Sequence, residues 1–248
     1  MSWRSGRWWL AGIVAYLVFL LTTLPADNVI GWLHKRVPDL QVAEVHGSVW
    51  AGSARDVAWQ GQSWGSLRWR FDWAALFAGH LGFFLFLNSP DLALQARIAG
   101  NRSRLLLEDV AGHLPVNQMV HWLPLPSGSI AGQINIRMQR MVLISARPSA
   151  ADGVIDLTGL SLSWPQSVVL GDYELKLQTQ GNVIHGSLLD TSGPLLVQGS
   201  LRVTPDGGYD LTGVVATRDP ANTALNNLLQ YLPGNQDGKH AFNINGKW

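Results

Sequence analysis

The histidines and aspartates are the residues with which this chain could most readily do chemistry. Two histidines on one helical face, or a histidine among carboxylates at ligand spacing, would indicate a metal site or a general base. The seven histidines form no such pair or cluster. Asp56, Asp72 and Asp109 fall in separate strand patterns, where a solvated carboxylate is ordinary. We therefore predict no metal site and no catalytic acid or base.

Other reaction chemistries also lack their residues. The sequence has no cysteine, which excludes a thiol nucleophile, a thiolate metal site and disulfides. It has no phosphate-binding loop, and its 26 glycines fall at predicted strand ends and bulges. We expect a protein that is not an enzyme and holds no cofactor.

The charge balance argues against nucleic acid as a partner. The chain carries 18 basic and 17 acidic side chains, for a formal net charge of +1. Binding to phosphates requires a clustered basic face, and no run of lysine or arginine occurs. We therefore expect no nucleic-acid binding.

A long apolar segment near the N-terminus predicts a membrane anchor. Residues 8–26 contain no charge, and a helix of this length nearly matches a hydrocarbon core of about 30 Å. Arg4 and Arg7 precede it, so the positive-inside rule places residues 1–7 in the cytoplasm and the body across the membrane. A cleaved signal peptide is the alternative. Leu24 would then stand at the −3 position of the cleavage site, before Ala26, where a small residue is expected. Residues 27–38 predict a short helix after the membrane.

Beyond residue 38 the apolar residues alternate, which predicts a mainly β body. Leu67, Trp69, Phe71 and Trp73 alternate with polar residues, and residues 172–179 repeat the pattern. Turn residues recur at intervals of about 8 to 12, the spacing of an antiparallel meander. The stretch 81–87, LGFFLFL, is apolar on both faces and predicts a central strand covered on its outer side by a short helix or a membrane surface.

Two segments predict short helices, and they resemble each other. Residues 115–124 and 219–234 contain NQMVHWLP and NNLLQYLP respectively. In the second, Asp219 is the expected N-cap and Pro220 the first helical residue. Similar strand-turn-strand segments precede both, which indicates an internal duplication with halves 39–124 and 125–248. Chance similarity of short β motifs is the alternative.

The first β segment concentrates aromatic residues. Five of the twelve tryptophans lie within 24 residues: Trp50, Trp59, Trp64, Trp69 and Trp73. The simplest interpretation is a β core built on large rings. The alternative is an edge or groove offered to a partner or to lipid.

The order of these features resembles the type II secretion system protein N family of Gram-negative bacteria. A single anchor is followed by VHGSVWAG at 45–52 and LRWRFDWAALFAGHL at 67–81. The residues that carry the resemblance are Gly47, Trp50, Gly52, Trp69, Trp73 and Gly79. We interpret Trp50 as a core anchor at the first strand reversal, with Gly47 and Gly52 letting the chain turn.

The resemblance implies a single-pass inner-membrane accessory protein with a periplasmic C-terminal domain. Its implied role is to assist export of folded proteins from the periplasm, with other secretion-system envelope components as partners and with no catalytic or cofactor-binding residue. Anchored AsmA-like lipid-handling proteins begin similarly, so a β-groove that binds lipid is the alternative. The two hypotheses differ in whether the apolar sheet face is covered by protein or left as an exposed stripe.

Overall fold

The computed structural model describes residues 39–77, 79–101, 103–119, 130–163, 167–230, 232 and 238–247. The predicted anchor at 8–26 and the predicted helix at 27–38 lie outside these residues. Within them, no helix has the length and apolar character needed to cross a membrane.

The described chain forms one antiparallel sheet of thirteen strands in which each strand pairs with its neighbours in sequence. The strands are β1 (Leu40–Gly47), β2 (Ala51–Trp59), β3 (Gln62–Phe71), β4 (Leu81–Ser89), β5 (Leu92–Gly100), β6 (Arg104–Pro115), β7 (Ile130–Ile144), β8 (Arg147–Leu162), β9 (Val168–Gln180), β10 (Val183–Ser192), β11 (Leu195–Val203), β12 (Gly208–Thr217) and β13 (Lys239–Lys247). The predicted mainly β antiparallel meander is confirmed. Because β6 pairs with β7, the predicted halves 39–124 and 125–248 share one sheet.

Three short helical segments accompany the sheet: α1 (Trp73–Phe77), a 3-10 helix (Val116–Gln118) and α2 (Thr223–Leu229). The 3-10 helix and α2 lie inside the two segments predicted to be helical, and the last residues of both segments lie outside the described residues. The predicted start of α2 is wrong. Asn222 is its N-cap, since the Asn222 side chain accepts a hydrogen bond from the Leu225 N–H at 3.2 Å. Asp219 instead closes a turn by accepting from the Ala221 N–H at 2.9 Å.

The structure also corrects the predicted strand that reached Trp73. β3 ends at Phe71, and Trp73 is the first residue of α1. The alternation is real as far as Phe71, where the ladder with β4 ends at the Phe71–Phe83 pair. Asp72 then starts a helix, because its carboxylate accepts hydrogen bonds from the N–H groups of Ala74 and Ala75.

One face of the sheet is apolar from β2 to β13. The register places on it, among others, Ala54, Leu67, Leu85, Leu94, Ile136, Ile155, Leu175, Leu188, Leu201, Leu211 and Phe242. The opposite face carries most of the charged side chains, including Arg68, Arg97, Asp156, Glu174 and Arg202. This alternation between faces is what the period of two along each strand predicts.

The sheet curls around its apolar face. β8 approaches β10 and β9 approaches β11, although strands two apart in a flat sheet lie about 9.6 Å from each other. At Gly186 an added Cβ would lie 2.8 Å from the Leu201 Cβ and 3.1 Å from the Leu177 side chain, so the neighbouring strands lean over this glycine. The apolar face is therefore the concave one.

The two ends of the sheet differ. We call the end that holds Leu40, the first residue of β1, the entry end, and the opposite end the far end. At the entry end, Leu225 and Leu229 of α2 pack on Tyr173 and Val197, and Val116 of the 3-10 helix packs separately on Leu92 and Leu114. The far end carries α1 between β3 and β4.

β4 is a central strand, as the sequence predicts, and pairs with β3 and β5. Its outward side is covered in part by α1, because Ala75 packs against Gly82. The next outward residue, Phe84, lies beneath the guanidinium groups of Arg70 and Arg97 at 5.2 and 5.8 Å from its ring centroid. Cationic side chains therefore extend the cover beyond the helix, while Phe86, the following outward residue, is 39% exposed.

Candidate functional site

The structure brings all six motif residues predicted from the sequence to the far end of the sheet. Gly47, Trp50 and Gly52 surround the turn between β1 and β2, and Trp69 lies opposite Gly52 on β3. Trp73 begins α1, and Gly79 follows this helix.

The two glycines of the first turn are required for different reasons. Gly47 has a positive φ of 98°, and an added Cβ would lie 2.6 Å from the Ala51 carbonyl oxygen. At Gly52 a Cβ would collide with the Trp69 ring and would lie 2.7 Å from the His46 carbonyl oxygen. Gly47 thus allows the backbone to turn, while Gly52 makes room for an indole.

Trp69 ties β3 to this turn. Its indole N–H donates a hydrogen bond to the Ser48 carbonyl oxygen at 3.1 Å. The Ser48 hydroxyl in turn accepts from the backbone N–H groups of Trp50 and Ala51, both at 3.3 Å. The turn is therefore held from within by Ser48 and from across the sheet by Trp69.

Trp50 belongs to an aromatic cluster that joins the turn to α1. Its ring stacks on Trp73 with centroids 5.4 Å apart and meets the edge of Phe71 at 4.7 Å. Phe71 also packs edge-on against Trp73 at 4.8 Å and Phe83 at 5.2 Å. Both geometries are favourable for aromatic pairs. The cluster therefore joins β2, β3, α1 and β4.

Helix α1 is only five residues long but is capped at both ends. Asp72 caps its start, with the N–H groups of Ala74 and Ala75 at 3.0 and 3.4 Å from the carboxylate oxygen. At its end the Gly79 N–H donates to the Leu76 carbonyl and the His80 N–H to the Ala75 carbonyl, with Gly79 at a φ of 78°. These two bonds are the Schellman pattern, which explains the glycine at position 79.

An ion pair holds the start of α1 on the sheet. The buried Asp72 carboxylate accepts from Arg97 Nε at 2.7 Å and lies 2.6 Å from an Arg97 terminal nitrogen, and Arg97 also pairs with Glu108 at 3.2 Å. Burial alone would raise the pKa of Asp72. The hydrogen bonds from Arg97 and from the Ala75 and Ala74 N–H groups, with the Arg97 charge, outweigh this and lower that pKa below its ordinary value.

The capped helix presents large apolar side chains to solvent. We call Trp73, Leu76, Phe77 and Leu81 the far-end patch; their exposed fractions are 53, 45, 93 and 60 %. Only Ala75 of α1 is buried. A short helix fixed at both ends and exposing three bulky apolar residues has the form of a contact surface rather than of a core element.

The second candidate contact surface is the pair of sheet edges. Within the described residues, β1 pairs only with β2, and β13 only with β12. β13 follows β12 without interruption from Gly208–Lys247 to Ala216–Lys239. The ladder between β1 and β2 shifts register twice. The outer side of β13 is therefore the regular edge.

Apolar side chains and unpaired strand edges make up these two surfaces. No three histidine, aspartate or glutamate side chains converge as metal ligands in the part of the chain that the structure describes. Sequence reasoning missed Asp72 as a cap and Leu76, Phe77 and Arg97 as parts of the site. The stretch DWAALFAG carried a usable signal, since an N-cap residue, two alanines and a C-terminal glycine are typical of a short helix.

Comparison with known proteins decides the family. The family model for type II secretion system protein N matches residues 38–245. The chain belongs to this family. It is 26% identical over 249 residues to the type II secretion system protein N of Aeromonas hydrophila, covering 93% of this chain and 92% of that relative. It is 27% identical over 244 residues to the Klebsiella pneumoniae protein of the same name, covering 94% and 92%, and 24% identical over 214 residues to that of Vibrio cholerae, covering 84% and 85%.

The family match covers every strand of the sheet apart from residues 246–247 at the end of β13. No solved structure matches the chain. Membership of the family makes the chain a type II secretion component, and such a component works with other parts of the system. The resemblance stated from the motif residues is therefore confirmed.

Proposed function

We propose that this chain is a non-enzymatic, inner-membrane accessory component of the type II secretion system. In this proposal it assists the export of folded proteins from the periplasm through protein–protein contacts. The observation that carries the proposal is the outer edge of β13. Because a regular antiparallel edge offers a row of backbone donors and acceptors, it can receive a strand from a partner.

The sequence of β13 suits strand addition. Between its terminal lysines it reads HAFNING, seven residues without a formal charge when the histidine is neutral. Ile244 is 55% exposed near its middle. Charged residues and prolines are the usual means by which proteins block an edge, and neither interrupts this stretch.

The proposed topology has residues 1–7 in the cytoplasm, an anchor at 8–26 and a periplasmic domain after the segment 27–38. The uninterrupted apolar stretch after Arg4 and Arg7 supports it. A reporter enzyme that is active only in the periplasm, fused after Trp248, should be active. The protein should also stay in the membrane fraction after alkaline carbonate washing; release by the wash would contradict an uncleaved anchor.

The edge proposal is tested by placing a photoreactive amino acid at Asn243 in secreting cells. We expect cross-linking to another secretion-system envelope component, and we expect Ile244→Lys to abolish it and to reduce secretion. Ala43→Lys on β1 is the matched control and should change neither. Export of the substrates across the inner membrane should stay normal, because the proposed role follows that step.

Two results would overturn the edge proposal. One is that Ile244→Lys leaves secretion and cross-linking unchanged while the protein is present at normal levels. The other is that the two edges respond alike, which would mean that the regularity of β13 has no bearing on function.

A groove that binds lipid is the second candidate function. It is favoured by the concave apolar face, over which no second sheet lies among the described residues. Photoreactive residues at Leu201 and Leu211 on this face should then capture phospholipid. In that case deletion should alter outer-membrane permeability and leave secretion unchanged.

A further inference from the structure

The far-end patch is too apolar and too prominent for an inert surface. Phe77 is the most exposed of the large apolar side chains in the described part of the chain, with 93% of its surface accessible. Trp73 is 53% exposed although its ring stacks on Trp50. Single exposed apolar residues are ordinary, but several of them on one fixed helix and its neighbour indicate a contact.

The patch continues along the rim of the sheet. Leu81 stands in the row that runs through Gly100 and Leu105 to Leu143. Leu105 is 36% exposed, and Ile144, next to this row, is 45% exposed. Exposed apolar side chains therefore extend from α1 along the far end of β4, β6 and β7, and an extended rim suits a deformable surface better than it suits the pocket of a folded partner.

Three exposed arginines lie around this rim. Each of these arginines lies within two residues of the far end of its strand: Arg70 on β3, Arg104 on β6 and Arg147 on β8. None of them forms an ion pair with a described residue. Of the nearby carboxylates, Asp72 and Glu108 share the single charge of Arg97, and Asp109 is exposed. The rim therefore combines apolar side chains with exposed arginines that are not held in ion pairs.

A small cavity beside α1 repeats this combination. It has a volume of about 170 Å³ and is lined by His80, Ala99, Gly100, Asn101, Arg104 and Leu106. Its walls are largely apolar, and Arg104 and His80 are its basic groups. A cavity of this composition suits an amphiphile that has an anionic head.

We propose that the far end of the sheet docks on an anionic phospholipid surface, with the far-end patch entering the interface and Arg70, Arg104 and Arg147 facing the phosphates. Aromatic and apolar side chains flanked by basic residues are the composition of interfacial membrane contacts. The distance between the far end and the entry end equals the length of the strands. β6 and β8 have 12 and 16 residues, which corresponds to roughly 40–50 Å.

The absence of cysteine makes a direct test possible. The purified full chain, carried in phosphatidylcholine nanodiscs, receives one cysteine labelled with an environment-sensitive fluorophore at Phe77→Cys. Val169→Cys is the matched control, because Val169 is 62% exposed and lies on β9 near the entry end. Added vesicles contain either phosphatidylcholine alone or phosphatidylcholine with phosphatidylglycerol.

We expect a several-fold rise in fluorescence at position 77 with the phosphatidylglycerol vesicles and little with phosphatidylcholine alone. Position 169 should not respond to either. Arg104→Gln should weaken vesicle binding about fivefold, the effect of one basic residue near an anionic surface. Phe77→Ser, with the label moved to Leu81→Cys, should weaken it about tenfold, and Val169→Ser should not.

The proposal is overturned if neither vesicle raises the signal at position 77, if positions 77 and 169 respond equally, or if both lipid compositions act equally. It is also overturned if a photoreactive group at position 77 captures a single envelope protein and no phospholipid in cells. The vesicle assay contains no other secretion component. Its failure would therefore leave the proposed β13 contact standing, and failure of the β13 contact would not affect it.

Discussion

The two edges of the sheet differ in their backbone more than in their packing. β1 meets β2 through two register shifts, and Glu44 has a left-handed φ of 45°. A surface ion pair between Glu44 and Arg55, 3.0 Å long, spans the irregular region. β13 meets β12 residue for residue with no shift. Bulges and charges obstruct the addition of a strand, so β1 is a protected edge and β13 an accessible one.

Packing on the concave face is similar at both edges. Next to β1, the Trp69 ring of β3 lies over Gly52 of β2. At β13 the Phe242 ring lies over Gly213 and Gly199, where added Cβ atoms would be 2.5 and 3.3 Å from it. An aromatic ring over a glycine on an adjacent strand stabilises strand pairing. At β13 the hydrophobic side of the edge strand is thus held in place while its hydrogen-bonding side is left available.

The largest effect should come from removing the aromatic anchor near the protected edge. Trp50→Ala deletes the ring that contacts Phe71 and Trp73. We expect it to lower the free energy of unfolding by about 3 kcal/mol, since this indole is half-buried. Urea unfolding measures the loss, and hydrogen exchange should show it in β1 to β4 but not in β10 to β13.

Val169→Ala is the control for this substitution, because Val169 is mostly exposed. Its effect on stability should be small. If Trp50→Ala instead left stability and abundance normal but abolished secretion, Trp50 would be a contact residue and not an anchor.

A smaller effect is expected from Phe242→Ala at the accessible edge. The ring is half-buried over two glycines, so its loss should cost about 2 kcal/mol. Hydrogen exchange should increase in β12 and β13 and stay unchanged in β1 to β4. Asn243→Ala, on the opposite face of the same strand, is the control. An equal response of both edges to either substitution would show that they are not independent.

The next largest effect should be an acid-induced loss of stability at the far end, where Asp72 caps α1 and pairs with Arg97. Because its folded pKa is lowered, its stabilising contribution is present above the unfolded value of about 3.9 and is lost as pH falls through the folded value. Tryptophan fluorescence should therefore be constant from neutral pH to about 4 and change below it. Asp72→Asn should remove this acid transition; an unchanged transition would assign it to another group.

The smallest effect concerns the end of β13. Asp206 accepts from the Thr204 hydroxyl at 2.6 Å and from Lys247 Nζ at 3.0 Å, and these interactions lower the pKa of Asp206 to about 2. Its contribution is therefore present above the unfolded value of about 3.9 and is lost as pH falls through about 2. Asp206→Asn should slightly increase exchange at the end of β13 at neutral pH, and the difference from the parent should vanish at the acid limit.

The period of two in the sequence was sufficient to predict the meander and its polar and apolar faces. Leu175 and Leu177 alternate with Glu174 and Lys176 on β9 as predicted. Helix boundaries were less predictable because the cap is chosen by local hydrogen bonds. Asp219 and Asn222 are both good caps, and the structure uses the second.

The candidate site was predictable only in part. The sequence predicted that Gly47, Trp50 and Gly52 lie at the first strand reversal, and these residues surround the turn between β1 and β2. Arg97 could not be found this way, because its contact with Asp72 depends on the register of β4 with β5. The regularity of β13 likewise depends on its pairing and not on its composition.

The order of the strands also has a consequence for the kinetics of folding. Each described strand pairs with the one made just before it, so contacts close short loops and the relative contact order is low for a β protein. Under the proposed topology β1 is the first strand to cross the membrane, and the domain can then pair strand by strand without waiting for its C-terminus. On this route β13 is the last strand to pair, and every earlier strand serves for a time as the growing edge.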